Sequence, residues 1–122
     1  MVKLVELDRH VTVFQQMEDD GGPVILINTF EIAPEDVEQF LAAWEVDANI
    51  MRRQVGLVST QLHRGIGGSS VFVNYAVWES AAHFKRAFGN PEFQSKLKDY
   101  PASAVASPHL FRRMPVTGIC VA

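Results

Sequence analysis

Apolar positions recur along the chain with two different periods. Val24-Ile25-Leu26-Ile27-Asn28-Thr29-Phe30 is apolar on both alternating faces, which predicts a strand covered on both sides. Residues 34–54 instead place Val37, Phe40, Leu41, Trp44, Ala48 and Met51 every three or four positions, the stripe of a helix. Pro34 suits its first turn and Glu35 and Asp36 the positive end of its dipole. Arg52 and Arg53 fall in its last turn, and Gly56 is the expected stop. A second strand is expected over Leu57–Arg64, a glycine-rich connection over Gly65–Ser69, and a third strand over Ser70–Trp78, again apolar on both faces. A second helix follows from Glu79 to about Lys98, interrupted at Gly89-Asn90-Pro91, because proline disfavours a helical residue before it. Tyr100–Pro108 reads as irregular and His109–Met114 as a short fourth strand.

The resulting order, β-α-β-β-α-β, is that of an α+β, ferredoxin-like sandwich. It occupies residues 23–114, between an N-terminal arm (1–22) and a C-terminal tail (115–122). The arm has weak strand character at Val11–Phe14 and ends in the turn Glu18-Asp19-Asp20-Gly21-Gly22-Pro23. Helices cover one face of such a sheet. Ile25, Ile27, Val71, Val73, Tyr75 and Val77 make the other face apolar too, so it needs a partner. A homodimer packed sheet against sheet supplies one. The alternative is that the arm and tail cover this face within one chain.

Composition narrows the class. With 122 residues the chain supports one domain, and 48% apolar against 20% charged residues is a folded rather than a disordered composition. No apolar run approaches the ~18 residues of a membrane span, and the acidic start Met1–Arg9 does not read as a secretion signal. One cysteine, Cys120, cannot build a disulfide framework. A cytoplasmic location is expected, with no membrane partner. The net charge of −3 argues against a nucleic-acid surface, since Arg52-Arg53, Lys85-Arg86 and Arg112-Arg113 are only isolated pairs.

Candidate chemistry sits on the strands. Period-2 geometry puts Asn74 and Trp78 on one face of the third strand with Phe72 and Ala76, and Asn28 of the first strand projects to the same side. A strand amide that is buried must find a partner or costs about 1–3 kcal/mol. The two asparagines therefore either bond a loop or helix end, or line a pocket with the Trp78 indole. The histidines, His10, His63, His83 and His109, show no metal-ligand spacing. His63, at a strand end, and His83, on the second helix, are candidate bases or ordinary surface residues. Gly65-Ile66-Gly67-Gly68 lacks the strand–loop–helix context of a phosphate cradle. No metal and no organic cofactor is expected.

Pro23–Trp44, Val55–Ser59, the stretch Phe72-Val73-Asn74-Tyr75-Ala76-Val77-Trp78-Glu79-Ser80, and then Phe88 and Pro91–Phe93 resemble the antibiotic biosynthesis monooxygenase superfamily. The resemblance implies a dimeric α+β barrel of ferredoxin-like protomers. Its quinol-forming branch, from aromatic polyketide pathways, needs no cofactor. The actinorhodin-pathway member of that branch uses an Asn and a Trp four residues apart, a Tyr, and an Arg on the second helix. Asn74 and Trp78 match the first two; Phe84 stands at the Tyr position and Lys98 at about that of the Arg. A second branch degrades haem with an Asn, here Asn28, a Trp and an iron-binding His. The last two fall on Ala87 and Leu97, and leucine cannot ligate iron.

The resemblance thus implies a monooxygenase that oxidises a small aromatic, a hydroquinone or anthrone, to a quinone with O₂. Asn74, Asn28 and Trp78 would be the donors that stabilise the substrate oxyanion. Phe72, Phe84 and Phe88 would clamp the ring, with His63, His83 or Lys98 assisting. The alternatives are a non-catalytic dimer that binds a small molecule or acts in stress response, and a haem-binding homologue.

Overall fold

The computed structural model describes residues 1–121; the last residue of the expected tail lies outside them. Five strands form one sheet: β1 (Lys3–Leu4), β2 (Val24–Glu31), β3 (Leu57–Arg64), β4 (Val71–Trp78) and β5 (Val105–Phe111). Their order is β1-β5-β2-β4-β3, with β1 parallel to β5 and every other pair antiparallel. Four helices accompany them: α1 (Val13–Gln16), α2 (Val37–Met51), α3 (Ala81–Phe88) and α4 (Pro91–Lys96). Short 3-10 turns at Pro34–Asp36 and Leu97–Asp99 precede α2 and follow α4. The expected α+β, ferredoxin-like topology is present. None of the described helices is long and apolar enough to cross a membrane.

Local chemistry accounts for the breaks. The Asn90 side chain accepts from the Glu92 and Phe93 amides and caps α4, which opens on Pro91; the second helix is therefore two helices. Ser80 caps α3 through the His83 amide.

Two expectations fail at the ends of the chain. Val11–Phe14 is not a strand, because Thr12 and Gln15 form a reciprocal capping box that starts α1. Val13 and Met17, one helical turn apart, then drop into the core. The last strand begins at Val105 and ends at Phe111, rather than spanning His109–Met114. Its early start follows from pairing on both edges, Val105–Phe111 with β2 and Val105–Ala106 with β1. Gln16 adds a polar clamp: its Nε2 donates to the Leu110 carbonyl (2.9 Å) and its Oε1 accepts from the Leu110 amide (2.8 Å).

The helix side of the sheet carries two apolar clusters. One gathers Val13, Met17, Leu26, Trp78, Phe84 and Leu110 under α1 and α3. The other gathers Phe30, Val37, Phe40, Phe72, Tyr100 and Ala106 under α2. The opposite face keeps Ile25, Ile27, Val73 and Val77 half-buried and Val71 and Tyr75 exposed. The arm does not cover it, since α1 packs on the helix side, and Pro115–Val121 is exposed throughout.

Candidate active site

The two clusters are separated along the strands by one row of polar positions. On β2 the inward sequence is Leu26, Asn28, Phe30; on β4 it is Ala76, Asn74, Phe72. Asn28 and Asn74 are direct cross-strand partners, and Pro108 of β5 lies across from Asn28 on the other side. Each asparagine interrupts the apolar packing at the same level, and a cavity of about 320 Å³ opens there between the sheet and the helices. That volume is in the range of small-ligand pockets.

The sheet supplies Asn28, Asn74 and Thr60 to this cavity, and α2 supplies Trp44, Asp47, Ala48 and Met51. Phe88 of α3 and Phe93 of α4 complete an aromatic wall. The arm closes the remaining side with Val2, Leu4 and Phe14. Phe14 packs edge-on against Phe88, with ring centroids 6.0 Å apart. Main-chain bonds from Lys3 to Ala104 (2.8 Å) and from Val5 to Ala106 (2.9 Å) hold the arm along β5.

The polar atoms are oriented. The Thr60 hydroxyl donates to Asn74 Oδ1 at 2.7 Å, so the Asn74 amino group is the end left to donate to a ligand. Asn28 Oδ1 is buried without a hydrogen-bond partner, an acceptor matched to a ligand hydroxyl. Asp47 is 4% exposed, and both its carboxylate oxygens also lack a partner. Burial pushes its pKa up to about 6, and the nearby Asp99 charge pushes the same way. The Tyr100 phenol faces Asp47 and, with Lys96, moderates that rise, but no hydrogen bond closes between phenol and carboxylate. Burial, and then the Asp47 charge, drive the Tyr100 phenol upward, so it stays protonated.

The expected site residues divide into three groups. Asn28, Asn74 and Phe88 line the cavity together. Trp78, Phe72 and Phe84 share the helix-facing side but sit in the two clusters rather than on the cavity wall. Trp78 is 1% exposed, its indole N–H has no partner, and it packs on Phe84 at 5.8 Å. His63, His83 and Lys98 lie away from the cavity. His63 pairs with Val73, and period 2 puts it on the opposite sheet face from Asn74. The His83 ring is engaged by Ser80 at 2.7 Å and Glu79 at 3.6 Å. Lys98 is exposed on the turn whose Leu97 faces the cavity. Among the described residues, no three His, Cys, Asp or Glu side chains converge as a metal site.

Asp47, like Thr60 and Tyr100, is a polar group of the cavity that the sequence pattern does not single out. Its signal was present: it stands seven residues after Phe40 and three after Trp44, on the buried stripe of α2. A carboxylate at that position is either paired or functional.

Known proteins share this architecture. SnoaB, a cofactor-independent oxygenase from Streptomyces nogalater, superposes with a TM-score of 0.69 at 26% identity, covering 80% of this chain and 99% of that one. A candidate monooxygenase from Shewanella loihica PV-4 gives 0.67 at 30% identity, over 78% and 97% of the two chains. Tetracenomycin-F1 monooxygenase of Streptomyces glaucescens is 35% identical over 72 residues, 57% of this chain. That match spans 62% of the relative's length. The arm lies outside the residues that carry the family signature. Over residues 23–97, more than half its length, the sequence matches antibiotic biosynthesis monooxygenase, and the chain belongs to that family.

Proposed function

We propose that the cavity binds a small hydroxy-aromatic molecule and that the protein is a cofactor-independent monooxygenase, converting a naphthol or anthrone to a quinone, or a hydroquinone to a hydroxyquinone, with O₂. The observation that carries this reading is the Asn28–Asn74 pair, two oriented amides in an aromatic cavity. Once the substrate loses a proton, its ring oxygen carries negative charge. The Asn74 amino group, held by Thr60, donates to that oxygen without having to reorganise. Asn28 accepts from a second hydroxyl, and Trp44, Phe88 and Phe93 pack on the ring. The electron-rich anion passes an electron to O₂, and the two radicals combine to a ring peroxide. Its collapse leaves one oxygen atom in the quinone and releases the other as water. Trp78, Phe72 and Phe84 act in this reading from behind the wall, holding β4 and α3 against each other.

The likeness to tetracenomycin-F1 monooxygenase and to SnoaB, a cofactor-independent oxygenase, supports this reading. The active unit is a homodimer in which Ile25, Ile27, Val73, Tyr75 and Val77 meet the same face of a second copy. Oxygen uptake with 1,4-naphthohydroquinone, 1-naphthol and anthrone tests the chemistry. Stoichiometric uptake with one labelled atom from ¹⁸O₂ in the product is expected. Binding of these compounds with no uptake would make the protein a carrier rather than an enzyme.

A further inference from the structure

Resting on the monooxygenase reading, we infer that Asp47 is the general base of this cavity. Three observations meet at this residue. It is a carboxylate on the otherwise apolar stripe of α2, it lines the same cavity as Asn28, Asn74 and Thr60, and neither of its oxygens has a protein partner. A carboxylate so deeply buried costs stability, and the facing Tyr100 phenol and the Lys96 charge offset that cost only in part. A hydroxylated ring between α2 and the sheet satisfies it, because the ring hydroxyl donates to Asp47 on one side while the Asn74 amino group donates to the ring oxygen on the other.

Protons balance around one carboxylate. The substrate O–H bond breaks, its electron pair stays on the ring oxygen, and the proton forms an O–H bond with Asp47. After O₂ has added to the ring carbon, Asp47 returns that proton to the peroxide anion. The carboxylate next takes the proton of the ring C–H as the C=O bond forms and the O–O bond breaks. It finally hands this proton to the departing hydroxide. The substrate supplies four electrons to O₂, one oxygen atom is inserted, the other leaves as water, and Asp47 ends ionised as it began.

The surroundings set the working pH. Asp99 and Lys96 act on Asp47 with opposite signs, and the protonated Tyr100 phenol faces it from the same segment. The Met1 amino group is held at the Tyr100 carbonyl, 3.3 Å away. The strand residues that line the cavity, Asn28, Asn74 and Thr60 among them, include no titratable group. With its pKa raised to about 6, the carboxylate is ionised at neutral pH and is a stronger base than a surface aspartate.

Asp47→Asn keeps the shape and removes the base. A 10²–10⁴-fold loss of kcat/KM, on the order of what general-base catalysis supplies, is expected at neutral pH. The rise in wild-type rate through about pH 6 should vanish in the variant. The loss should also shrink along a series of naphthols of increasing acidity, since an already ionised substrate needs no base. A uniform loss across the series, or none, overturns the assignment while leaving the oxygenase reading in place. Wild-type protein that turns over no member of the series overturns the oxygenase reading instead. The carboxylate is then judged by infrared titration of Asp47 with and without 4-nitrophenol, a phenol that resists oxidation. A bound O–H donating to the carboxylate lowers the midpoint; absence of binding, or binding without movement, overturns the role of Asp47.

Discussion

Asn28 and Asn74 face each other across the β2–β4 ladder, at the one level where the apolar core divides in two. They are not equivalent. Asn74 has its oxygen engaged by Thr60, whereas the oxygen of Asn28 is unpartnered. One amide is set to donate and the other to accept, which suits a ring bearing both an oxyanion and a hydroxyl.

Asn74→Ala should lower turnover by about 10²–10³, the usual effect of losing one oxyanion donor, while leaving the oligomeric state unchanged. Thr60→Val frees the Asn74 amide to rotate and should cost less, because the donor remains but is no longer oriented. Steady-state oxygen uptake on both variants checks the ranking. A Thr60→Val protein as impaired as Asn74→Ala would mean that the hydroxyl itself meets the substrate.

Stability should depend on Asp47 in a definite direction. Its carboxyl ionises less readily in the folded chain than its ordinary value of 3.8. It therefore favours the folded state fully below that value, and the contribution is lost as pH rises through about 6. Asp47→Asn should accordingly be more stable than wild type at about pH 8, by at most about 3 kcal/mol for a rise of some two pKa units. The difference should disappear near pH 4. Urea unfolding of both proteins across this range measures it.

The open sheet face predicts association. In the proposed dimer, Val73→Asp would bury an unpaired charge between two copies and should give a monomer or block folding. Sedimentation at micromolar concentration separates the outcomes. A wild-type protein sedimenting at 13.6 kDa would remove the dimer.

The arm should set how large a substrate is accepted. Phe14 closes the cavity against Phe88, and Phe14→Ala removes a ring from that wall. KM for naphthols should rise several-fold as their packing is lost, with a smaller change for three-ring anthrones that can use the space. Equal effects on both would assign Phe14 a role in folding alone.

Gly56 is a steric requirement. Its φ of 99° lies in the left-handed region, and a Cβ there would run into the His83 ring. Gly56→Ala should destabilise the fold by about 1–3 kcal/mol, read as a lowered Tm with His83→Ala as partial rescue.

Much of this molecule was legible in local pattern. Period 2 placed Asn28, Asn74 and Trp78 on one side of two neighbouring strands, and period 3.6 found α2, because both repeats follow from backbone geometry alone. What stands opposite those residues is decided by packing between distant segments, which no local repeat encodes. Trp78 shares its side with Asn74 yet lies outside the cavity, since α3 docks over it and fills the space with Phe84. Asp47 was hidden by its own helix: one polar residue in an apolar stripe reads as a flaw in the pattern until the sheet beneath it proves to carry Asn28 and Asn74. The arm shows the same limit. Val11–Phe14 has the composition of a strand, but the capping box and the core sites waiting for Val13 and Met17 make it a helix. Those sites exist only once β2, β4 and β5 are assembled, so the wall that Phe14 contributes to the cavity is a property of the folded chain and not of its sequence neighbourhood.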